Sequence, residues 1–170
     1  MDSAGDAARV ETFRPRVAPV MAVVWYLLAV FGGYDLIRRG DGREVPIGLV
    51  CLALVTVVVY ATAQRPAVIA GPDGVLLRNI VRDVWLPWHS VKSIESRWSL
   101  SVATEDGSYG SWAVAGSNLW TVPDRLEQMR RRGLEGQRTG TVEVRPTWPV
   151  IAAFGVTVAV LVLLLVIPVG

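Results

Sequence analysis

The chain has 170 residues, a formal net charge of +2, 52% hydrophobic residues and only 19% charged ones, where a soluble domain carries about 25% charge. A single cysteine excludes an internal disulfide, a single histidine leaves no conventional zinc ligand set, and so small a net charge gives nucleic-acid binding no footing. The charge deficit is concentrated in three runs without one charged side chain.

In chain order, residues 1–16 form an N-terminal tail carrying Arg9, Arg14 and Arg16. Residues 17–34, VAPVMAVVWYLLAVFGGY, are the first charge-free run. Residues 35–44 form a short loop with Arg38, Arg39 and Arg43, and residues 45–63, VPIGLVCLALVTVVVYATA, are the second run. A helix crossing the hydrocarbon core needs about 20 mostly apolar residues, with a range of roughly 17–25. Both runs therefore read as transmembrane helices, and so does the third at 147–169. A soluble core of this size has too little other surface to cover three helices that are apolar on every side. AVFGGYD offers a poor cleavage site for a signal peptide, which argues against removal of the first run. Tyr34, Tyr60 and Trp148 suit a lipid interface, whereas Trp25 lies too centrally. Cys51 sits among Leu, Val and Ala in the second run and reads as a small packing residue of low reactivity.

Two spans precede the central polar region, so that region lies on the same side as the tail, with the 35–44 loop opposite. Arginines near the membrane favour tail and centre over the loop by eight to three: Arg9, Arg14, Arg16, Arg65, Arg78, Arg82, Arg138 and Arg145 against Arg38, Arg39 and Arg43. The positive-inside bias then puts the N-terminus and the centre in the cytoplasm of a multi-pass plasma-membrane protein.

The centre opens with a short strand, PAVIA, and a turn, AGPDGV, in which Pro72 fixes its own φ and Gly74 is free to take a positive one. VLLRNI and RDVWLPW read as strands meeting near Ile80–Arg82, and SVKSIES is ambiguous. RWSLSVA sets Trp98, Leu100 and Val102 on one face and Arg97, Ser99 and Ser101 on the other, the period of a half-buried strand. Asp106-Gly107 is a strong hairpin signal before a returning strand in YGSWAVAG. TVPDRLEQMRRRG then changes to helical spacing. Thr121 and Asp124 stand at capping-box distance with Pro123 in the first turn, and Val122, Leu126 and Met129 form one apolar stripe. Arg130, Arg131 and Arg132 oppose the negative end of the dipole, and Gly133 closes the helix. Residues 136–146 read as a linker into the third span.

The motif GVLLRNIVRDVWLPWHSVKSI, with Gly74, Arg78, Asn79, Arg82, Pro87 and Trp88 as its marks, resembles the bacterial pleckstrin-homology (PH) domains. It is most similar to the actinobacterial branch named for the low-molecular-weight protein antigen six, as is FRPRVAP leading straight into a span. The resemblance covers residues 65–135. It implies a PH-like antiparallel barrel or sheet capped by one C-terminal helix, inserted between the second and third transmembrane helices.

His89 lacks companion ligands and reads as a surface or half-buried ring. Asp73, Asp83, Glu105, Asp106 and Asp124 mostly fall at turns and caps, where local hydrogen bonding accounts for them, so neither catalysis nor a cofactor is expected. Residues 64–145 hold 11 Lys/Arg against 9 Asp/Glu. Arg78, Arg82 and Lys92, sharing one rim, and Arg130, Arg131 and Arg132 are the candidate contacts for lipid or partner. Of Trp85, Trp88, Trp98, Trp112 and Trp120, most are expected in the core, with at least one exposed as a partner anchor. The expected function is a membrane-tethered interaction or scaffold module whose partners are membrane lipids and another membrane or envelope protein, without nucleic acid. The alternatives are an anionic-lipid headgroup sensor and a small subunit of a membrane transport or envelope complex.

Overall fold

A computed structural model of the chain describes residues 10–15, 17–96, 98–113, 121–135 and 140–167. In chain order its elements are β1 (Glu11–Phe13), α1 (Val17–Arg39), α2 (Glu44–Val59), a π-helical turn (Tyr60–Gln64), β2 (Ala67–Ala70), β3 (Gly74–Arg78), β4 (Arg82–Pro87), a 3-10 turn (Trp88–Ser90), β5 (Val91–Ser96), β6 (Leu100–Thr104), β7 (Ser108–Ser111), α3 (Val122–Glu135), β8 (Glu143–Pro146) and α4 (Trp148–Val166). They fall into two compact units. One joins the segment up to Pro15 to Arg65–Pro146, and the other joins Arg16–Gln64 to the chain from Thr147 onward.

The helical unit holds three helices long and apolar enough to cross a membrane: Val17–Arg39, Glu44–Gln64 and Trp148–Val166. Among the described residues of these spans only Ala22, Gly33, Ala61 and Val150 are buried, so the apolar side chains point outward on nearly every face. Small residues and a few polar bonds join the helices. A Cβ on Gly33 would just touch Leu49 and Leu52, at 3.7 and 3.8 Å, and the Trp25 indole donates to the Thr56 hydroxyl at 3.1 Å. Arg43 donates from Nε to the Leu164 carbonyl at 3.0 Å, satisfying one of the carbonyls that a helix end leaves open. The first helix runs past the charge-free stretch ending at Tyr34 as far as Arg39, because Asp35 and Arg39 pair along the helix at 3.0 Å. The 35–44 loop is thereby reduced to the tight turn Gly40–Arg43, where Gly42 has φ +48°. Cys51, expected to pack, is exposed.

The other unit contains an antiparallel sheet in the order β1-β2-β3-β4-β8 and a second one in the order β5-β6-β7. Alternating side chains of both sheets (Val68 and Ala70, Val75 and Leu77, Val84 and Leu86, Leu100 and Val102) meet in one core with Trp88, Val122 and Leu126 of the following segments. Each Leu or Val fully withdrawn from water contributes about 1.5–3 kcal/mol. The helix stripe read from the sequence is the one that packs, with Val122 and Leu126 buried and Met129 against the core.

Several local expectations are corrected. The tail and the linker each supply a strand, β1 and β8, at the two edges of the larger sheet. SVKSIES is a full strand, bulged between Val91 and Ser93. Of the strand expected over residues 97–103, Arg97 lies outside the described residues, and the strand observed is Leu100–Thr104, with Leu100 paired to Ser96 and Trp98 in the turn between them. Gly74 is not at positive φ; it is needed for space, since an added Cβ would run into the Leu86 carbonyl and lie 2.9 Å from Pro87 Cα. Gly107 does take positive φ, at +147°, in the Asp106-Gly107 hairpin. α3 continues through Gly133 to Glu135. The returning strand ends at Ser111, and residues 114–120 lie outside the described residues.

Candidate interaction surface

The motif residues divide into two kinds. Gly74, Asn79, Pro87 and Trp88 are buried and build the fold. Trp88 donates its indole N–H to the Gly71 carbonyl at 2.9 Å, and its backbone N–H goes to the Asp73 carbonyl at 3.2 Å. The same ring occupies the space beside Gly133, where a Cβ would strike it and come within 2.9 Å of the Pro72 carbonyl. Asn79 closes the turn between β3 and β4 and ties it to the other sheet. Its amide donates to the Gly110 carbonyl at 2.8 Å, and its side-chain oxygen accepts from the Trp112 backbone N–H at 3.3 Å.

Arg78 and Arg82 are the other kind, exposed at the two sides of that turn and without an ion pair among the described residues. They do not share a rim with Lys92. β4 runs away from Arg82 to Pro87, and the 3-10 turn carries the chain on to β5, so Lys92 emerges at the opposite end of the sheets. There it pairs with Glu105 at 3.3 Å. Arg130 is likewise engaged, with two 2.8 Å bonds to Glu127 and one of 3.1 Å to the Val91 carbonyl. Hydrogen bonds from Arg130 hold the Glu127 carboxyl below the usual carboxylate range, against the opposing effect of partial burial, and the neighbouring charges of Arg130 and Arg131 act in the same direction. The same bonds raise the Arg130 guanidinium. Arg131 reaches Glu127 at 3.5 Å, and Arg132 is exposed. The six basic candidates therefore form two separate groups.

Of the tryptophans expected mostly in the core, Trp88 is buried and Trp85 half-buried, while Trp112 is 74% and Trp98 91% exposed. Trp120 lies outside the described residues. His89 is exposed on the 3-10 turn, and among the described residues no His, Cys, Asp and Glu cluster of metal-binding spacing occurs. Asp83, expected at a turn, instead lies in β4 and accepts from Arg65 at 2.8 Å.

Sequence reasoning missed the outer face of the larger sheet. Side chains opposite to the core alternate there, and the register aligns Leu76 with Trp85 and Trp85 with Glu143, and Asp83 with Arg145. Together these five residues line an open groove of about 390 Å³. Its floor is apolar and its walls are charged, with Arg145 bonded to Glu143 at 2.6 Å. The alternation of RDVWLP carried half of this signal; the rest depended on pairing with β8, a contact distant in sequence.

The fold is thus two antiparallel sheets closed by a helix whose apolar stripe enters the core, and residues 65–133 match the family described as Bacterial PH domain. That segment, less than half of the chain, is similar to the bacterial PH domains. No curated protein and no solved structure matches the chain. The matched segment contains β2–β7 and most of α3, so β1 and β8 flank it at the edges of the larger sheet, made by the segments that join it to the helical unit.

Proposed function

We propose that the chain is a membrane-tethered PH module that binds a protein partner at the cytoplasmic face and serves as an interaction or scaffold subunit, without catalysis. The observation that carries this reading is the groove on the outer sheet face, where Leu76 and Trp85 offer an apolar floor between the charges of Asp83, Glu143 and Arg145. Half-buried aromatic floors with polar rims are the usual anatomy of protein-recognition patches. Three apolar helices joined to the module support the tether, and arginine-rich flanks support the cytoplasmic side. A tethered module meets other membrane proteins at high effective concentration, so modest affinity is sufficient. A role as a transport subunit receives less support, because the spans place few charges where a path would run.

The test is site-specific photo-crosslinking in native membranes, with the reactive group at Glu143 beside the groove. A discrete protein adduct that disappears in Trp85→Ala and in Arg145→Glu is the expected result. Adducts to lipid or to the chain itself alone would remove the scaffold reading.

A further inference from the structure

The chain joins the PH-bearing unit to the helical unit three times, and all three junctions lie at one end of the larger sheet. Phe13 of β1 pairs with Val68 and Ala67 pairs with Arg78, so Pro15 and Arg65 leave at the end where Arg78 stands. Arg82 pairs with Pro146, which places the third junction at the same end. The β3–β4 turn projects there with Val81 at its tip, 53% exposed.

The smaller sheet contributes to the same end. Asn79 is bonded to Gly110 and Trp112, which fixes the end of β7 beside the β3–β4 turn. Ser111 pairs with Leu100, so the turn holding Trp98 belongs to this end as well. Three exposed apolar side chains, Val81, Trp98 and Trp112, thus gather where the chain departs for the helices.

Charge is sorted the same way. Arg14, Arg78 and Arg82 are exposed at this end without ion pairs among the described residues. Arg65 and Arg145 stand there too, paired with Asp83 and Glu143. Glu95, exposed and in register with Ser101, also lies toward this end. The opposite end, formed by the turns 71–73, 88–90 and 105–107, carries Asp73, Glu105 and Asp106 with His89 and Lys92.

We propose that this end of the module is a docking face for anionic lipid, in which Trp98, Trp112 and Val81 enter the interfacial layer and Arg14, Arg78 and Arg82 meet phosphate headgroups of the membrane that the flanking helices cross. The proposal rests on the reading that those helices are membrane-spanning. Tryptophan prefers the interfacial layer, and unpaired arginines are drawn to an anionic leaflet. Because the chain runs on from this end into the helices, the contact would orient a module that is already tethered and need not recruit it. The groove on the sheet's outer face remains available to a protein partner.

The experiment uses the full chain in bilayers of phosphatidylcholine with phosphatidylglycerol. Nitroxide labels are placed singly at Val81, Trp112 or Asp106 in a Cys51→Ala background, and at Cys51 itself in the native sequence. Collisions with oxygen and with a water-soluble nickel chelate are then compared. Oxygen is expected to dominate at Cys51 and, more weakly, at Val81 and Trp112, while Asp106 behaves as in water. Arg78→Glu with Arg82→Glu lowers the ratio of docked to undocked Val81 label by at least about tenfold, and pure phosphatidylcholine lowers it in the same direction. Water-like behaviour of Val81 and Trp112 with a lipid-like Cys51 leaves the tether standing and overturns docking. A water-like Cys51 overturns the tether, and docking with it. Labels at Val81 and Trp112 shielded from both reagents mean that protein covers this end, which also overturns docking.

Discussion

The indole of Trp88 donates to the Gly71 carbonyl while its ring fills the space beside Gly133 on α3. Two predictions follow at this scale. Gly→Ala inside a helix ordinarily stabilises by roughly 0.5–1 kcal/mol. Gly133→Ala is expected to destabilise instead, by about 1–3 kcal/mol as in other overpacked cores, because the new methyl meets Trp88 and the Pro72 carbonyl. Chemical denaturation followed by far-UV circular dichroism reads the sign. The second concerns Glu127. Its carboxyl is held low in the folded chain chiefly by the Arg130 hydrogen bonds, so the stability it gives is full above the ordinary carboxylate value of about 4.3 and is lost as pH falls through the lower folded value. The stability difference between wild type and Glu127→Gln should therefore stay constant near neutrality and shrink on acidification past that range. The motif GVLLRNIVRDVWLPW was visible as a family mark, yet the work done by Asn79 and Trp88 was not. Their partners, Gly110, Trp112 and Gly133, are distant in sequence, and no local pattern announces a bond of that kind.

At the scale of elements, strands with clean alternation were legible, and so was the amphipathic helix, because period and burial coincide in Val75–Leu77, Val84–Leu86 and Val122–Leu126. β1 and β8 were not. They have three and four residues, and each exists only through an edge pairing with a strand more than fifty residues away in sequence. The outer groove was hidden for the same reason, since β8 supplies two of its walls. β1 is also pinned from the helix side: Arg125 donates to Glu11 from Nε at 3.1 Å to both oxygens, and from Nη2 at 2.5 Å. The two side chains are 37% and 22% exposed, so solvent screens much of the pair. A double-mutant cycle of Glu11→Gln and Arg125→Met is expected to give a coupling of about 1 kcal/mol at low salt, smaller as salt rises. A coupling of zero would mean that β1 is held by its backbone pairing with β2 alone.

For the whole molecule, composition announced the three apolar helices, and the family motif announced the module between them; where charge and apolar surface gather on that module emerged only from the strand register. If lipid covers the helices, the chain stays in the membrane pellet after alkaline carbonate washing and enters solution only with detergent; release by carbonate alone would sink the tether. The pairing of β1 with β2 carries a consequence for biosynthesis. These neighbouring strands are separated in the chain by α1 and α2; if both helices cross a bilayer, Glu11–Phe13 can find Val68–Ala70 only when both strands end on one face of it. A nascent chain that threads just one of the two helices strands its first β-segment across the lipid and leaves the sheet unfinished. On that arrangement, completion of the five-stranded sheet reports on the threading of both helices.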